Sequence, residues 1–378
     1  MSNQPSVTGP DGVARPYVGG QALIEGVMMR SPHSFSAVVR RKNGTLVVRQ
    51  REMPDTRRGV KAWPGVRGVV TLVEALKLGS GALRFAADIF EQDLEEEEQA
   101  AAAAKRGPST LAALSLPILA LLMAEPGTPL AAPEEPKGDA KKKLFTALAV
   151  VFALVLFVAL PQAFAAGTSR LFGLGLDVRS PGFQLITGAG KLVIIIGYML
   201  AIRRMPEIYR VFQYHGAEHK SIYTYEAGEA LVVDNARSKT TLHPRCGTTF
   251  LVMVAFVSII VFTAIGPLLP QLGLGKLVDN VAFFAMKLPF LPVIAALTFE
   301  VQRVLARYCT RGPLRALLWP GFLVQKITTI EPDDEQLEVA LGALAVALGR
   351  EQGTATAEER ADRTFESYAL LAEAAVAA

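Results

Sequence analysis

The chain has 378 residues, of which 51% are hydrophobic and only 20% are charged. This composition excludes an intrinsically disordered chain, and a total of two cysteines excludes a disulfide-rich secreted scaffold. The net charge of +4 is too small to indicate a nucleic-acid-binding protein, so no nucleic acid is expected as a partner.

The first 90 residues predict a disordered leader and then a small α+β region. Residues 1–16 are polar and lack a signal-peptide pattern, so they are interpreted as the leader. Within the α+β region, residues 17–90, two strand-like stretches flank Asn43-Gly44, a pair typical of a two-residue hairpin turn. Residues 59–90 carry apolar side chains at helical spacing, which predicts either a core helix or a helix lying in the membrane surface.

Glu25 is a carboxylate among apolar neighbours in the α+β region, residues 17–90. It lies between Ile24 and Val27, so the sequence predicts partial burial, and a buried carboxylate needs a cation or hydrogen bonds. Two interpretations stay open. Glu25 is a partner of a metal site, or it is a strand-end glutamate bonded to a glycine-rich turn.

Residues 91–143 predict a linker or insert of low complexity. They contain acidic, alanine-rich and proline-rich runs, which are typical of solvated linkers. The apolar stretch 110–123 within them is too short to cross a bilayer and predicts an interfacial or poorly ordered segment.

Four later stretches are long and apolar enough to cross a bilayer. They are residues 144–166, 183–202, 248–269 and 281–299. The predicted fold class is therefore a membrane α-helical protein with about four transmembrane helices in residues 144–330, a small α+β N-terminal cytoplasmic region, and the lipid bilayer as a partner. The alternative is that the four stretches are buried helices of a large soluble core.

The distribution of lysine and arginine predicts the orientation in the cell (inner) membrane. Basic residues cluster before the first stretch, after the second and after the fourth. This bias places both termini and the loop 203–247 in the cytoplasm. Beyond the fourth stretch, residues 331–348 predict a short amphipathic helix and residues 349–378 a mobile tail.

The loop 203–247 holds the residues that indicate chemistry. His215 and His219 are four residues apart, so on a helix their side chains share one face and can bind one metal ion. Glu218 can turn to the same centre, and the pattern H-x-x-E-H is the inverse of the zinc-protease motif, in which the carboxylate is the general base. The alternative is a packed histidine pair that hydrogen-bonds to backbone or lipid phosphate.

A second cluster in the loop adds two candidate ligands, His243 and Cys246. A His-x-x-Cys turn brings an imidazole and a thiolate together, and zinc favours such nitrogen and sulfur ligands. The sequence thus predicts zinc as cofactor, with His215, His219, His243 and Cys246 as candidate ligands and Glu218 as candidate catalytic base. The alternative for Cys246 is a small buried residue at the start of a membrane helix.

Three motifs in this chain resemble the YqhQ-like bacterial membrane proteins. They are GGQALIEGVMMR at residues 19–30, RVFQYHGAEHK at 210–220 and HPRCGT at 243–248. The resemblance covers residues 17–90 and 140–348. It implies a multi-pass membrane protein with a metal site, from a domain-of-unknown-function family described as predicted metal-dependent enzymes, and it implies no substrate.

Two functional classes follow. In the first, the protein is a metal-dependent enzyme, such as a hydrolase, and the fourth position of a zinc held by His215, His219 and one of His243 or Cys246 stays open. In the second, all four side chains close around a structural zinc, and the protein is a membrane scaffold or assembly factor. A transporter is a weaker third reading, because four spans are few.

Overall fold

The computed structural model describes residues 6–53, 63, 65–102, 147–149, 151–270, 272–273, 275–309, 312–351 and 362–377. The helices are α1 (Val66–Ala102), α2 (Leu160–Leu171), α3 (Pro181–Ile202), α4 (Pro206–Ala227), α5 (Val233–Arg237), α6 (Gly247–Ile265), α7 (Lys276–Lys287), α8 (Leu291–Tyr308), α9 (Trp319–Thr328), α10 (Asp334–Glu351) and α11 (Tyr368–Ala377). Short 3-10 helices cover Gly266–Leu268, Leu288–Phe290 and Pro313–Leu318, and a π-helical turn covers Val155–Ala159. The expected interfacial segment 110–123 lies outside the described residues.

Four helical stretches are long and apolar enough to cross a membrane, as the sequence predicts. They are Ala147–Leu171, Pro181–Ile202, Gly247–Leu268 and Val278–Ala306. Large apolar side chains on them lie open on the surface, including Val193 and Ile260. Only 6–28% of each stretch is buried, so these helices do not form the buried core that the alternative interpretation expects.

The strands lie near the N-terminus, except for the last. They are β1 (Ser6–Thr8), β2 (Ala14–Pro16), β3 (Gly19–Leu23), β4 (Gly26–Arg30), β5 (Ser34–Arg40), β6 (Leu46–Glu52) and β7 (Arg363–Phe365). Strands β3 to β7 form one antiparallel sheet in sequence order, and β1 pairs with β2. The leader, expected to be disordered, therefore contains a hairpin in residues 6–16.

Two of the three hairpins in the main sheet, β3–β4 and β5–β6, have different turns. Strands β3 and β4 are joined by Ile24 and Glu25 alone, and Glu25 takes a left-handed φ of 50°. Strands β5 and β6 are joined through three residues, because Arg41 N–H donates to the carbonyl of Thr45. The prediction of a two-residue Asn43-Gly44 turn is thus wrong by one residue, and Gly44 supplies the left-handed position at the end of the turn.

Helix α10 is the central helix of the sheet domain, which comprises β3–β7, α4, α10, α11 and residues 82–89 of α1. The sequence predicts a short amphipathic helix at 331–348, but α10 is buried on most sides, since the consecutive residues Val339, Ala340 and Leu341 are all inaccessible to solvent. The sheet covers one side of it and α4 covers another. A helix surrounded in this way is apolar around most of its circumference.

The C-terminal tail, expected to be mobile, completes the same domain where it is described. Strand β7 pairs with β6, and Leu371 of α11 is fully buried in the core. The linker prediction for 91–143 also differs at its start, because α1 continues as a helix to Ala102.

Helix α1 connects the sheet domain to the apolar helices. Its residues Ala82 and Phe85 are buried in the core of the sheet domain. Near its N-terminus, Gly68 packs closely on Phe299 of α8, and Arg67 donates a hydrogen bond to Glu300. The helix is therefore a core helix at one end and lies against a candidate membrane span at the other.

Candidate metal centre

Helix α4 carries two of the predicted ligands and the predicted base. Pro206 occupies its first turn, and Gly228 ends it in the left-handed conformation, as the sequence signals predict. The middle of the helix is buried, since it runs through the core of the sheet domain. This burial places His215, Glu218 and His219 away from water.

Three of the four predicted ligands come together in the structure. The candidate ligand atoms of His215, His219 and Cys246 all lie within 4.8 Å of one another, and all three residues are buried. The two imidazole rings are 4.5 Å apart between centroids, and His215 Nε2 is 3.0 Å from Cys246 Sγ. Two imidazoles and a thiolate at such separations form a donor set suited to a divalent metal.

Backbone carbonyls orient both histidines. His215 Nδ1–H donates to the carbonyl of Thr328 at 2.9 Å, and His219 Nδ1–H donates to the carbonyl of Thr241. A carbonyl only accepts hydrogen bonds, so Nδ1 carries the proton in each ring and Nε2 presents its lone pair to the group. This second hydrogen bond is the usual support for a metal-ligating histidine.

The Nε2 atom of His219 supplies an independent test of whether a metal fits. It is buried and has no hydrogen-bond partner among the described residues. Buried polar atoms are normally satisfied, because an unsatisfied lone pair costs free energy. A metal ion shared with Cys246 Sγ and His215 Nε2 would satisfy this lone pair, so the residues present fit the metal that the motif implies.

Cys246 stands at the N-terminus of α6, as its N-cap residue. Burial alone would raise the pKa of this thiol, but the His219 ring and the Thr248 hydroxyl, 3.1 Å from Sγ, outweigh it and lower the pKa. The partial positive charge of a helix N-terminus acts in the same direction. The thiolate is the form that binds a metal.

Glu218 lies on α4 between the two histidines, and its carboxyl interacts electrostatically with His215 and Cys246 without belonging to the group of three. Burial raises the pKa of its carboxyl to about 8, against the opposing effect of His215. The backbone amide of Gly20, in β3, hydrogen-bonds to the carboxylate. A Cβ atom on Gly20 would meet the Glu218 carboxylate oxygen at 2.9 Å, so β3 reaches this carboxylate only because residue 20 is glycine.

We therefore expect Gly20→Ala to displace Glu218 and to impair function. Overpacking of this kind costs about 1–3 kcal/mol of the free energy of unfolding. The matched control is Gly19→Ala, because a Cβ there would make an ordinary 3.7 Å contact with Tyr17. Thermal unfolding and complementation of a deletion strain should both separate the two variants, and equal behaviour would contradict the close approach.

His243, the fourth predicted ligand, lies beside the group of three and is not part of it. Its ring is 5.5 Å from that of His219, between centroids. Its Nε2 faces Glu226, at 3.7 Å, and its Nδ1 accepts a long hydrogen bond from the Arg245 amide, at 3.4 Å. The side chain is thus directed to the half-buried carboxylate of Glu226 and not to the candidate metal.

Glu25 has the strand-end position of its second interpretation, but its carboxylate is bonded to α4 and not to a glycine-rich turn. It occupies the turn between β3 and β4, where Arg210 donates to it at 2.5 Å and the Tyr214 hydroxyl at 3.3 Å. These are the partners that a half-buried strand-end carboxylate needs. The residue of the N-terminal motif 19–30 that contacts the candidate centre is Gly20, through Glu218.

Helix α9 supplies supports that the sequence did not reveal. The buried amide of Gln325 accepts from the His243 backbone N–H and donates to the His243 carbonyl, both at 2.7 Å, and it also donates to the Thr249 hydroxyl. The carbonyl of Thr328 holds His215. The role of the Thr328 carbonyl could not be predicted, because every residue has a backbone carbonyl. Gln325 could have been noticed, because it is a polar side chain within an apolar run.

Comparison with known proteins agrees with the motif resemblance. The family model described as "Protein of unknown function (DUF1385)" matches residues 63–350. The chain is 30% identical over 329 residues to the "Uncharacterized protein YqhQ" of Bacillus subtilis (strain 168), an alignment that covers 86% of this chain and 90% of that protein. No solved structure matches the chain. The chain belongs to the DUF1385 family, as its three motifs predict.

Proposed function

We propose that this protein is a zinc-dependent enzyme of the cell (inner) membrane, a hydrolase whose metal centre faces the cytoplasm. The observation that carries the proposal is the group of three candidate ligands with a carboxylate beside it. Three protein ligands with one open position are typical of catalytic zinc, whereas structural zinc has four. The orientation of His243 towards Glu226 supports the three-ligand arrangement.

The donor set also supports zinc as the metal. One thiolate and two imidazoles favour zinc over magnesium or calcium, which prefer oxygen ligands. When bound, zinc supplies Lewis acidity without redox chemistry.

Glu218 performs the proton transfer in this proposal. Its carboxylate accepts a proton from the attacking water, and the Gly20 amide keeps it in position. A general base must be ionised. A metal cation held by His215, His219 and Cys246 would lower the pKa of the Glu218 carboxyl and so favour its ionised form. The burial of Glu218 excludes bulk water, so the carboxylate acts on one positioned molecule. The test is Glu218→Gln, with complementation of a deletion strain and zinc content measured on the same variant.

The alternative function is a non-catalytic membrane scaffold or assembly factor with a structural zinc. Burial favours it, because His219 is only 1% exposed and Cys246 only 6%. A metal here would tie α4 of the sheet domain to the start of α6. The alternative needs no proton acceptor, so Glu218→Gln separates the two functions.

The cytoplasmic orientation has its own test in cysteine labelling. We expect an impermeant maleimide to label Leu174→Cys and Leu272→Cys in whole cells, because both lie in exposed connections at the outer ends of the spans. Val232→Cys, in the exposed connection after α4, should react only after permeabilisation. The native Cys246 and Cys309 are buried and serve as a silent background. Labelling of Val232→Cys from outside would contradict the orientation.

A further inference from the structure

We infer that residues 313–328 form an in-plane membrane helix, with one face in the lipid of the cytoplasmic leaflet and the other face against the metal centre. The segment comprises the 3-10 helix Pro313–Leu318 and α9. The inference rests on the proposed membrane location and not on catalysis.

The buried face of α9 packs against residues of two spans, and these contacts show at which end of the spans the segment lies. Val324 is buried in a cluster with Met199 and Val252. Gly321 packs so closely on Thr249 that a Cβ atom would lie 2.4 Å from its methyl group. Thr249 and Val252 belong to the first turns of the span Gly247–Leu268, and Met199 to the last turn of Pro181–Ile202. Helix α9 therefore lies at the cytoplasmic ends of two spans.

The outer face of the segment is apolar and open. Leu314, Leu317, Trp319 and Leu323 are each between 52% and 56% exposed. Leu314 and Leu317 are one turn apart on a 3-10 helix, and Trp319 and Leu323 are one turn apart on an α-helix, so each pair shares a side. Large apolar surfaces of this kind mark contact with a membrane or a partner, and tryptophan is enriched at the membrane interface.

Charge and position favour lipid as the occupant over a protein. The segment contains Arg315 and Lys326 and no carboxylate. Cations of this kind suit the anionic cytoplasmic leaflet, since their long side chains can reach the headgroups. Exposed apolar side chains also precede the segment in the chain, at Val304 and Tyr308 near the end of α8.

The same helix forms part of the metal centre. The Thr328 carbonyl orients His215, and the Gln325 amide binds both backbone groups of His243. The lipid-facing side chains and the groups that hold the two histidines lie on opposite faces of the same helix, so they are no further apart than the width of one helix. The metal centre is therefore positioned at the membrane surface.

Tryptophan fluorescence can test the inference, because the chain has only Trp63 and Trp319. The Trp63→Phe variant, in lipid nanodiscs, leaves Trp319 as the sole emitter, and Trp63 is exposed, so the substitution is mild. We expect lipids brominated near the headgroup end of their chains to quench Trp319, and more strongly than lipids brominated near the chain end. Acrylamide in the water should quench it weakly.

Two controls in a background without native tryptophan calibrate this result. Ile260→Trp, exposed on a span, should be quenched by brominated lipid, whereas Leu370→Trp, exposed on α11 of the sheet domain, should not. Leu323→Trp repeats the measurement on the same face as Trp319. Quenching at Ile260→Trp without quenching at Trp319 and Leu323→Trp would overturn the inference and leave the membrane location standing. Absence of quenching at all of these positions would overturn both.

Discussion

Replacing Glu218 with glutamine should leave the zinc content unchanged and abolish complementation of a deletion strain. The amide matches the carboxylate in size, and its oxygen still accepts the hydrogen bond from the Gly20 amide. It cannot accept a proton from water, however, and the loss of a general base typically slows a reaction by about 10²–10⁴-fold. Metal content and complementation, measured on the same variant, separate these effects.

The matched variant is Cys246→Ser, which removes a candidate ligand and keeps the general base. It should release the metal, because a serine hydroxyl is a poor zinc ligand. Full complementation by Glu218→Gln together with failure of Cys246→Ser would contradict the enzyme and support the structural zinc. Failure of both variants, with zinc retained only by Glu218→Gln, is the expected pattern.

The second large effect is the loss of metal from His215→Ala or His219→Ala. Each variant removes one of three candidate ligands, and we expect the zinc content to fall from about one per chain to nearly none. The control is His33→Ala, because His33 bonds to Glu351 in the sheet domain and is not part of the group. Elemental analysis of protein purified in mild detergent measures this effect, and retention of zinc by His219→Ala would contradict the assignment.

Much of the site was predictable because its residues repeat at helical spacing. Pro206 and Gly228 mark the ends of α4, and the interval between His215 and His219 places them on one face wherever that helix packs. The four apolar stretches were equally clear, since a span needs about 20 apolar residues without interruption. The sequence also identified Cys246 as a candidate ligand, through the His-x-x-Cys motif. Cys246 lies at the start of α6, however, whereas the two histidines lie on α4.

The rest depends on contacts between distant parts of the chain. Strand β7 is three residues long and pairs with β6 more than 300 residues earlier, so no local pattern marks it. The sequence of α10 predicts an amphipathic helix, because the packing of the sheet and of α4 on its sides cannot be inferred from that sequence alone. Gly20 is a glycine because of Glu218, nearly 200 residues away, and a tight approach of this kind leaves no periodic signal.

His243 shows where motif spacing stops being informative. A His-x-x-Cys turn brings the two residues close together, but it does not decide which way the imidazole faces. Glu226, at the end of α4, faces the His243 ring, while Arg245 forms an ion pair with Glu226 and stacks over Tyr17 at 5.3 Å. These partners lie outside the motif, so the sequence left His243 as a candidate ligand equal to the other three.

The zinc content of His243→Ala, measured beside the wild type and His219→Ala, tests the three-ligand centre most directly. We expect His243→Ala to keep about one zinc per chain after dialysis, because His243 faces Glu226 and only His215, His219 and Cys246 converge. His219→Ala should lose the metal in the same experiment. Loss of zinc from His243→Ala to the same extent would make His243 a fourth ligand, close the site and contradict the proposed enzyme.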